Sequence, residues 1–147
     1  HAGEADGPER VLEAADLGAR RVGHGVRLAD WLGTPVGASA LARLRERDVH
    51  LEVCPTSNVH TGAANSLAAH PITALWRAGV SLSFHTDNRL ISRISVSREA
   101  AQLVAWAGLS WDDLQAMGQL AARASFLPEA TRREAEAALK AWRPPAS

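Results

Sequence analysis

The chain has 147 residues, enough for one domain with a real core. Its 16 Lys plus Arg balance 16 Asp plus Glu, so a formal net charge of zero argues against nucleic acid or an acidic membrane surface as a partner. Hydrophobic residues make up 46% and charged residues 22%, with no membrane-length apolar run and no signal-peptide pattern, and the single cysteine, Cys54, has no internal disulfide partner; a soluble, reducing, cytoplasmic setting fits.

The chain opens on His1 rather than Met, which suggests a processed end or a piece of a longer protein. Pro8 suits a first helical position and precedes a helical pattern from Glu9 to Arg20. A β-like run follows at Arg21-Val22-Gly23-His24-Gly25. A charged helix from about Ser39 to Arg47 carries Leu41 and Leu44 on one face. The second β-like run spans Val49 to Cys54 and stops at Pro55. Pro71 opens a short helix with Ile72, Leu75 and Trp76 inward, and the third run covers Val80 to Asp87. The run ends recur about every 30 residues, the length of one βα unit.

Strand–helix alternation of this kind predicts an α/β fold with parallel strands over residues 1–95. The stretch 96–142 reads as closing helices: a stripe of Ala100, Leu103, Val104 and Ala107 ended by Gly108, a helix capped by Ser110 with Leu114, Met117 and Leu120 inward, and a helix from Pro128 to Trp142. Residues 143–147 form a tail expected to fray. Trp31, Trp76, Trp106, Trp111 and Trp142 read as packing residues, with no aromatic–basic interleaving of the kind that binds nucleic acid.

In parallel α/β folds the chemistry sits at the C-terminal ends of the strands. Gly23-His24-Gly25, Cys54-Pro55-Thr56-Ser57-Asn58 and His85-Thr86-Asp87-Asn88 fall at those ends, and His1 with Glu4 would occupy a fourth. Four strand ends are half the count of a (β/α)₈ barrel. Two His, an Asp and a Glu at separate ends of one sheet suit a catalytic metal such as zinc, with Glu4 able to shuttle protons, and suggest metal-assisted hydrolysis. Read singly, each has a plainer alternative: Asp87 as a turn cap with Asn88, Glu4 as a solvated turn residue, each His as structural.

The ordered segments His1-Ala2-Gly3-Glu4, Arg21 to Gly25, Leu51 to Asn58, Thr61-Gly62-Ala63, His70-Pro71 and Thr86-Asp87-Asn88 resemble the adenosine deaminases, particularly the bacterial ones. The resemblance runs from residue 1 to about Pro128. It implies the C-terminal half of a (β/α)₈ barrel, about strands 5–8, followed by C-terminal helices, within a single domain. It implies one zinc per complete subunit, with His1 and Asp87 as ligands. It implies Glu4 as the acid that protonates purine N1, and His24 as the histidine that orients and helps deprotonate the reacting water. It also implies that Asn88 contacts purine N7 and that Gly3 lies against the substrate. The implied reaction is attack of zinc-activated water on C6 of adenosine or 2'-deoxyadenosine, then loss of ammonia to give inosine or 2'-deoxyinosine in purine salvage.

Two departures qualify the resemblance. The family's His-x-His zinc pair occurs nowhere among these residues, so the missing N-terminal half of the barrel is the implied partner, and His85 and His60 stand where relatives commonly carry Asn and Gln. A related aminopurine deaminase acting on adenine or a modified adenine nucleoside stays open. So does an inactive half-barrel. A cytidine-deaminase type of site needs a Pro-Cys-x-x-Cys segment, which a single cysteine excludes. Cys54 reads as a small buried hydrophobe rather than a nucleophile, His50 and His70 as structural, and Glu52 as a partner of a site residue in preference to a salt bridge at the strand edge.

Overall fold

The computed structural model describes residues 1–144. Three short parallel strands form its sheet, in the order β1 (Arg21–Gly23), β2 (His50–Val53), β3 (Leu82–Phe84). The register pairs Val22 with Leu51 and Leu51 with Leu82, so three apolar side chains cross the sheet in one layer. A parallel bridge between Ala2 and His24 adds a fourth segment beside β1. Four parallel segments joined by helical crossovers make a partial (β/α) barrel, as the strand spacing predicts.

The helices follow their caps. Helix α1 (Glu9–Asp16) starts after Pro8 and ends short of the expected Arg20, because Gly18 takes φ +92° and turns the chain. A 3-10 helix (Val26–Trp31), absent from the sequence expectation, leads to α2 (Pro35–Glu46), where Thr34 accepts the Gly37 N–H at 3.0 Å and Pro35 fills the first turn. Helix α3 (Pro55–His60) follows β2 directly, and α4 (Ile72–Arg77) precedes β3. Helix α5 (Arg89–Ser92) is a single turn capped by Asn88. Then come α6 (Val96–Trp106), capped by Ser95, α7 (Trp111–Ala124), with a reciprocal Ser110–Asp113 capping box, and α8 (Glu129–Ala141).

Val11, Val22, Leu28, Leu51, Val53, Ile72, Leu75, Leu82, Leu103 and Met117 form one buried core between the sheet and its helices. Trp31, Trp76 and Trp111 pack against it, and the Trp142 ring centroid lies 6.0 Å from that of Trp111, but Trp106 is 64% exposed, which corrects the reading of all five as packing residues. Of the tail, residues 145–147 lie outside the described ones, and the Arg143 guanidinium bonds the carbonyls of Lys140, Ala141 and Trp142. Among the described residues no helix is long and apolar enough to cross a membrane.

Asp113 ties α7 to α4. Its carboxylate accepts the Trp76 Nε1–H at 2.7 Å, the Ser110 N–H and hydroxyl at 2.8 Å each, and the Arg77 guanidinium. Burial alone would raise its pKa, but these donors win and hold it at about 2 against an ordinary 3.8. A depressed carboxylate stabilises above its unfolded pKa and loses that contribution as pH falls through the folded value. Asp113→Ala is therefore expected to cost about 2 kcal/mol in urea unfolding at neutral pH. The gap from wild type should narrow as the pH is lowered from 3.8 toward 2.

Candidate active site

The polar side chains converge at the C-terminal ends of the strands. The Ala2 N–H donates to the Gly23 carbonyl at 3.2 Å and the Gly25 N–H to the Ala2 carbonyl at 2.9 Å, which fixes residues 1–4 beside the end of β1. Gly3 has φ +63°, and a Cβ there would lie 2.6 Å from Val11 Cγ2; the turn between His1 and Glu4 needs glycine. His24, at φ +68°, leaves the strand with its N–H donated to the Glu52 carbonyl. A non-glycine residue in this region is strained and is found most often where a side chain must be aimed.

His1, Glu4 and His24 meet. His24 Nε2 lies 2.9 Å from His1 Nδ1 and 3.3 Å from Glu4 Oε2, and all three residues offer ligand atoms within 4.8 Å of one another. His24 is fully buried, Glu4 half-buried and His1 exposed. Two imidazoles and a carboxylate suit a borderline cation such as zinc in donor type. Asp87 stands outside this cluster, exposed, at φ +54°, with Oδ2 accepting the Ser57 hydroxyl at 2.8 Å. Asn88 uses Oδ1 to cap the Leu90 and Ile91 N–H groups at 3.1 Å each; the turn-cap role weighed for Asp87 belongs to Asn88.

Helix α3 supplies the neighbours that sequence reasoning left without roles. Asn58 Nδ2 donates to Glu4 Oε1 at 2.9 Å and lies 3.1 Å from His24 Nδ1, and the Thr61 hydroxyl donates to the same Glu4 oxygen at 2.9 Å. Ser57, Asn58 and Thr61 all stood inside quoted motif segments, which was the available signal. Glu99 had none: it is 0% exposed on α6, and its Oε1 accepts the Thr56 N–H at the start of α3 at 2.8 Å. Burial raises its carboxyl above the ordinary range, against the Thr56 bonds, and among the described residues Oε2 has no hydrogen-bond partner.

Burial favours the neutral forms of Cys54, His50 and His70. Burial, then the nearby carboxylates of Asp87, Glu4, Glu52 and Glu99, pushes the Cys54 thiol up to about 12, where no thiolate forms at neutral pH. Burial pushes His50 down to about 4; its ring bonds the Ser81 and Ser83 hydroxyls at 2.9 and 2.8 Å, and Ser83 bonds His85 Nε2 at 2.7 Å. Burial likewise holds His70 at about 4. The Glu52 carboxylate pairs with Arg21, so an ion pair accounts for its side chain, while its carbonyl accepts the His24 N–H. His60 lies at the exposed end of α3.

A family model described as adenosine deaminase matches residues 1–142. An adenosine deaminase of Mycobacteroides abscessus is 45% identical over 134 residues, covering 87% of this chain and 37% of that protein. One of Enterococcus faecalis is 39% identical over 127 residues, covering 86% and 36%. The solved adenine deaminase of Arthrobacter aurescens superposes with a TM-score of 0.86 at 26% identity, covering 97% of this chain and 42% of that one. The chain thus spans less than half the length of each of these relatives.

Proposed function

The chain belongs to the adenosine deaminase family, and from that premise we propose that it is part of an enzyme that hydrolyses adenosine and 2'-deoxyadenosine to inosine and 2'-deoxyinosine with release of ammonia, in purine salvage. The observation that carries the proposal is the His1–Glu4–His24 cluster at the strand ends. The chain belongs, in this reading, to one barrel domain in a cytoplasmic protein, for which a buried free thiol is suited.

Glu4 Oε1 already accepts two hydrogen bonds, so Oε2 is the oxygen assigned to proton transfer to purine N1. Protonation at N1 withdraws electrons from C6, where water adds; the exocyclic nitrogen then leaves as ammonia. His24 Nδ1 faces the Asn58 amide, which favours a proton on Nε2 and supports the orienting part of its role; removing a proton from water would need the other tautomer. Asn88 has Oδ1 occupied by its cap, which leaves Nδ2–H as a donor suited to the purine N7 acceptor. For Gly3 a substrate contact through the backbone stays part of the proposal.

We assign His1 and Asp87 as two ligands of one zinc per complete subunit. The nitrogen and carboxylate donors fit that ion in type, while two ligands fall short of a catalytic set, so the remainder, a His-x-His pair, would come from the N-terminal half of the barrel. Zinc, when bound, supplies Lewis acidity that makes water a nucleophile near neutral pH.

The test is amine release by the complete gene product, loaded with zinc: ammonia from adenosine, 2'-deoxyadenosine and adenine, and methylamine from N6-methyladenosine. Adenosine and 2'-deoxyadenosine should be the best substrates. Preference for adenine, the substrate named for the Arthrobacter structure, or for N6-methyladenosine would move the reading to that alternative, and no amine from any of the four would end it. Chelation should abolish turnover and stoichiometric zinc restore it, and the 147-residue chain alone should turn over little.

A further inference from the structure

Hydrogen-bond polarity can be followed inward from a group that leaves no choice. A backbone N–H only donates, and the Ile72 N–H points at His70 Nδ1 at 3.0 Å. Nδ1 of His70 is therefore the acceptor, and a neutral ring carries its one proton on Nε2. That Nε2 lies 3.3 Å from Asn58 Oδ1. The contact fixes the amide: oxygen toward His70, nitrogen toward Glu4 and His24. The two hydrogens of Nδ2 then serve Glu4 Oε1 and His24 Nδ1. With Nδ1 of His24 accepting, its proton sits on Nε2, the nitrogen that faces His1 and Glu4. His24, Asn58 and His70 are all buried, so no solvent competes for these bonds.

We propose that Asn58, locked by His70, is a positioning residue that sets the tautomer of His24 and the rotation of the Glu4 carboxylate. The inference rests on the deaminase reading for its consequence in catalysis. No other residue type fits position 58 as well. Asp would face the Glu4 carboxylate with a like charge and could only accept. Ser has one proton for two acceptors. Gln carries the same amide one methylene too far. The helix supports the geometry: the Asn58 N–H donates to the Cys54 carbonyl at 2.8 Å, and its own carbonyl accepts the Ala64 N–H at 3.0 Å. The planar amide is thus held from both its backbone and its oxygen. His70 does double duty, because the Ile72 N–H it accepts is the first of α4 and would otherwise lack an intrahelical partner.

The test reads the tautomer directly. Long-range proton–nitrogen spectra of the complete gene product, labelled with 15N-histidine and loaded with zinc, should show His24 and His70 each as the single Nε2–H form. Asn58→Ser and His70→Phe should turn His24 into a mixture, and should lower kcat on adenosine by about 10- to 100-fold with KM little changed. His70→Gln, which can accept from Ile72 and donate to Asn58, should restore most of the loss. A wild-type His24 protonated on Nδ1 overturns the proposal before any variant is made. So does an Asn58→Ser protein that keeps both the tautomer and kcat. A wild-type protein that shows Nε2–H at His24 but releases no ammonia overturns the deaminase reading instead, and leaves the positioning geometry standing.

Discussion

Glu4→Gln should lower kcat on adenosine by about 10²- to 10⁴-fold with KM little changed, the range for losing a positioned general acid. The substitution is close to isosteric. Gln retains a carbonyl oxygen where Oε1 accepts from Asn58 Nδ2 and the Thr61 hydroxyl, so the side chain stays anchored. What changes is the other arm, where an amide nitrogen replaces Oε2 beside His24 Nε2. An amide nitrogen neither gives up a proton to a ring nitrogen nor takes one back at a useful rate, so the loss falls on the chemical step. Binding through the rest of the nucleoside is untouched, which keeps KM near its wild-type value. Steady-state ammonia release from the complete, zinc-loaded gene product measures it, with a melting curve alongside to show an intact fold. A kcat within tenfold of wild type would remove Glu4 from proton transfer. Thr61→Val makes the contrast: it takes away one donor to Oε1, leaves the Asn58 bond and the carboxylate, and should cost far less.

The parallel sheet and the strand-end location of the polar clusters were legible because β-branched and aliphatic residues alternate with polar ones up to Gly, Pro or Asp. The strands came out shorter than read. Val80 donates its N–H to Leu75 in the turn that ends α4, so β3 begins only at Leu82, and past Phe84 the chain leaves the ladder once His85 has bonded Val53. Helix α3 has no local signature of its own: Thr56, Ser57 and Asn58 are equally at home in a turn and in a first helical turn, and only Pro55 at its start argues for helix. Trp106 departs from the packing expectation for a simpler reason. It lies off the Ala100–Leu103–Ala107 stripe that the periodicity itself marks as inward. The motif segments brought His1, Glu4 and His24 into view. The roles of Asn58 and Glu99 rest on contacts 54 and 43 residues away in sequence, to Glu4 and Thr56, and local pattern carries no such information. Glu99 adds a further obstacle, since a charged residue in a first helical turn reads as solvated.

Gly25→Ala should destabilise the protein by about 2 to 5 kcal/mol, from the strain of a left-handed alanine and the overpacking of a filled core. The residue sits at φ +67° immediately after His24, and an added Cβ would lie 2.8 Å from Leu51 Cδ1 and 3.0 Å from Leu51 Cδ2. Leu51 has nowhere to retreat: it is 0% exposed on the central strand, with Val22 and Leu82 beside it in register. The strain must then appear at the turn, through the Gly25 N–H bond to Ala2 and the His24 N–H bond to Glu52. Those bonds align residues 1–4 with the strand end, so a shift there moves His1 and Glu4 relative to His24. A displacement of about 1 Å is enough to cost roughly 10²-fold in rate. Urea unfolding and turnover of the complete gene product should therefore fall together. Leu51→Ala alone should also destabilise, by leaving a cavity. The double variant decides between packing and backbone strain. If the collision with Leu51 dominates, Gly25→Ala with Leu51→Ala should be more stable than the sum of the two single losses allows, by about 1 kcal/mol or more. Strict additivity would put the whole effect in the left-handed backbone at position 25 and would take Leu51 out of the account of how His24 is aimed.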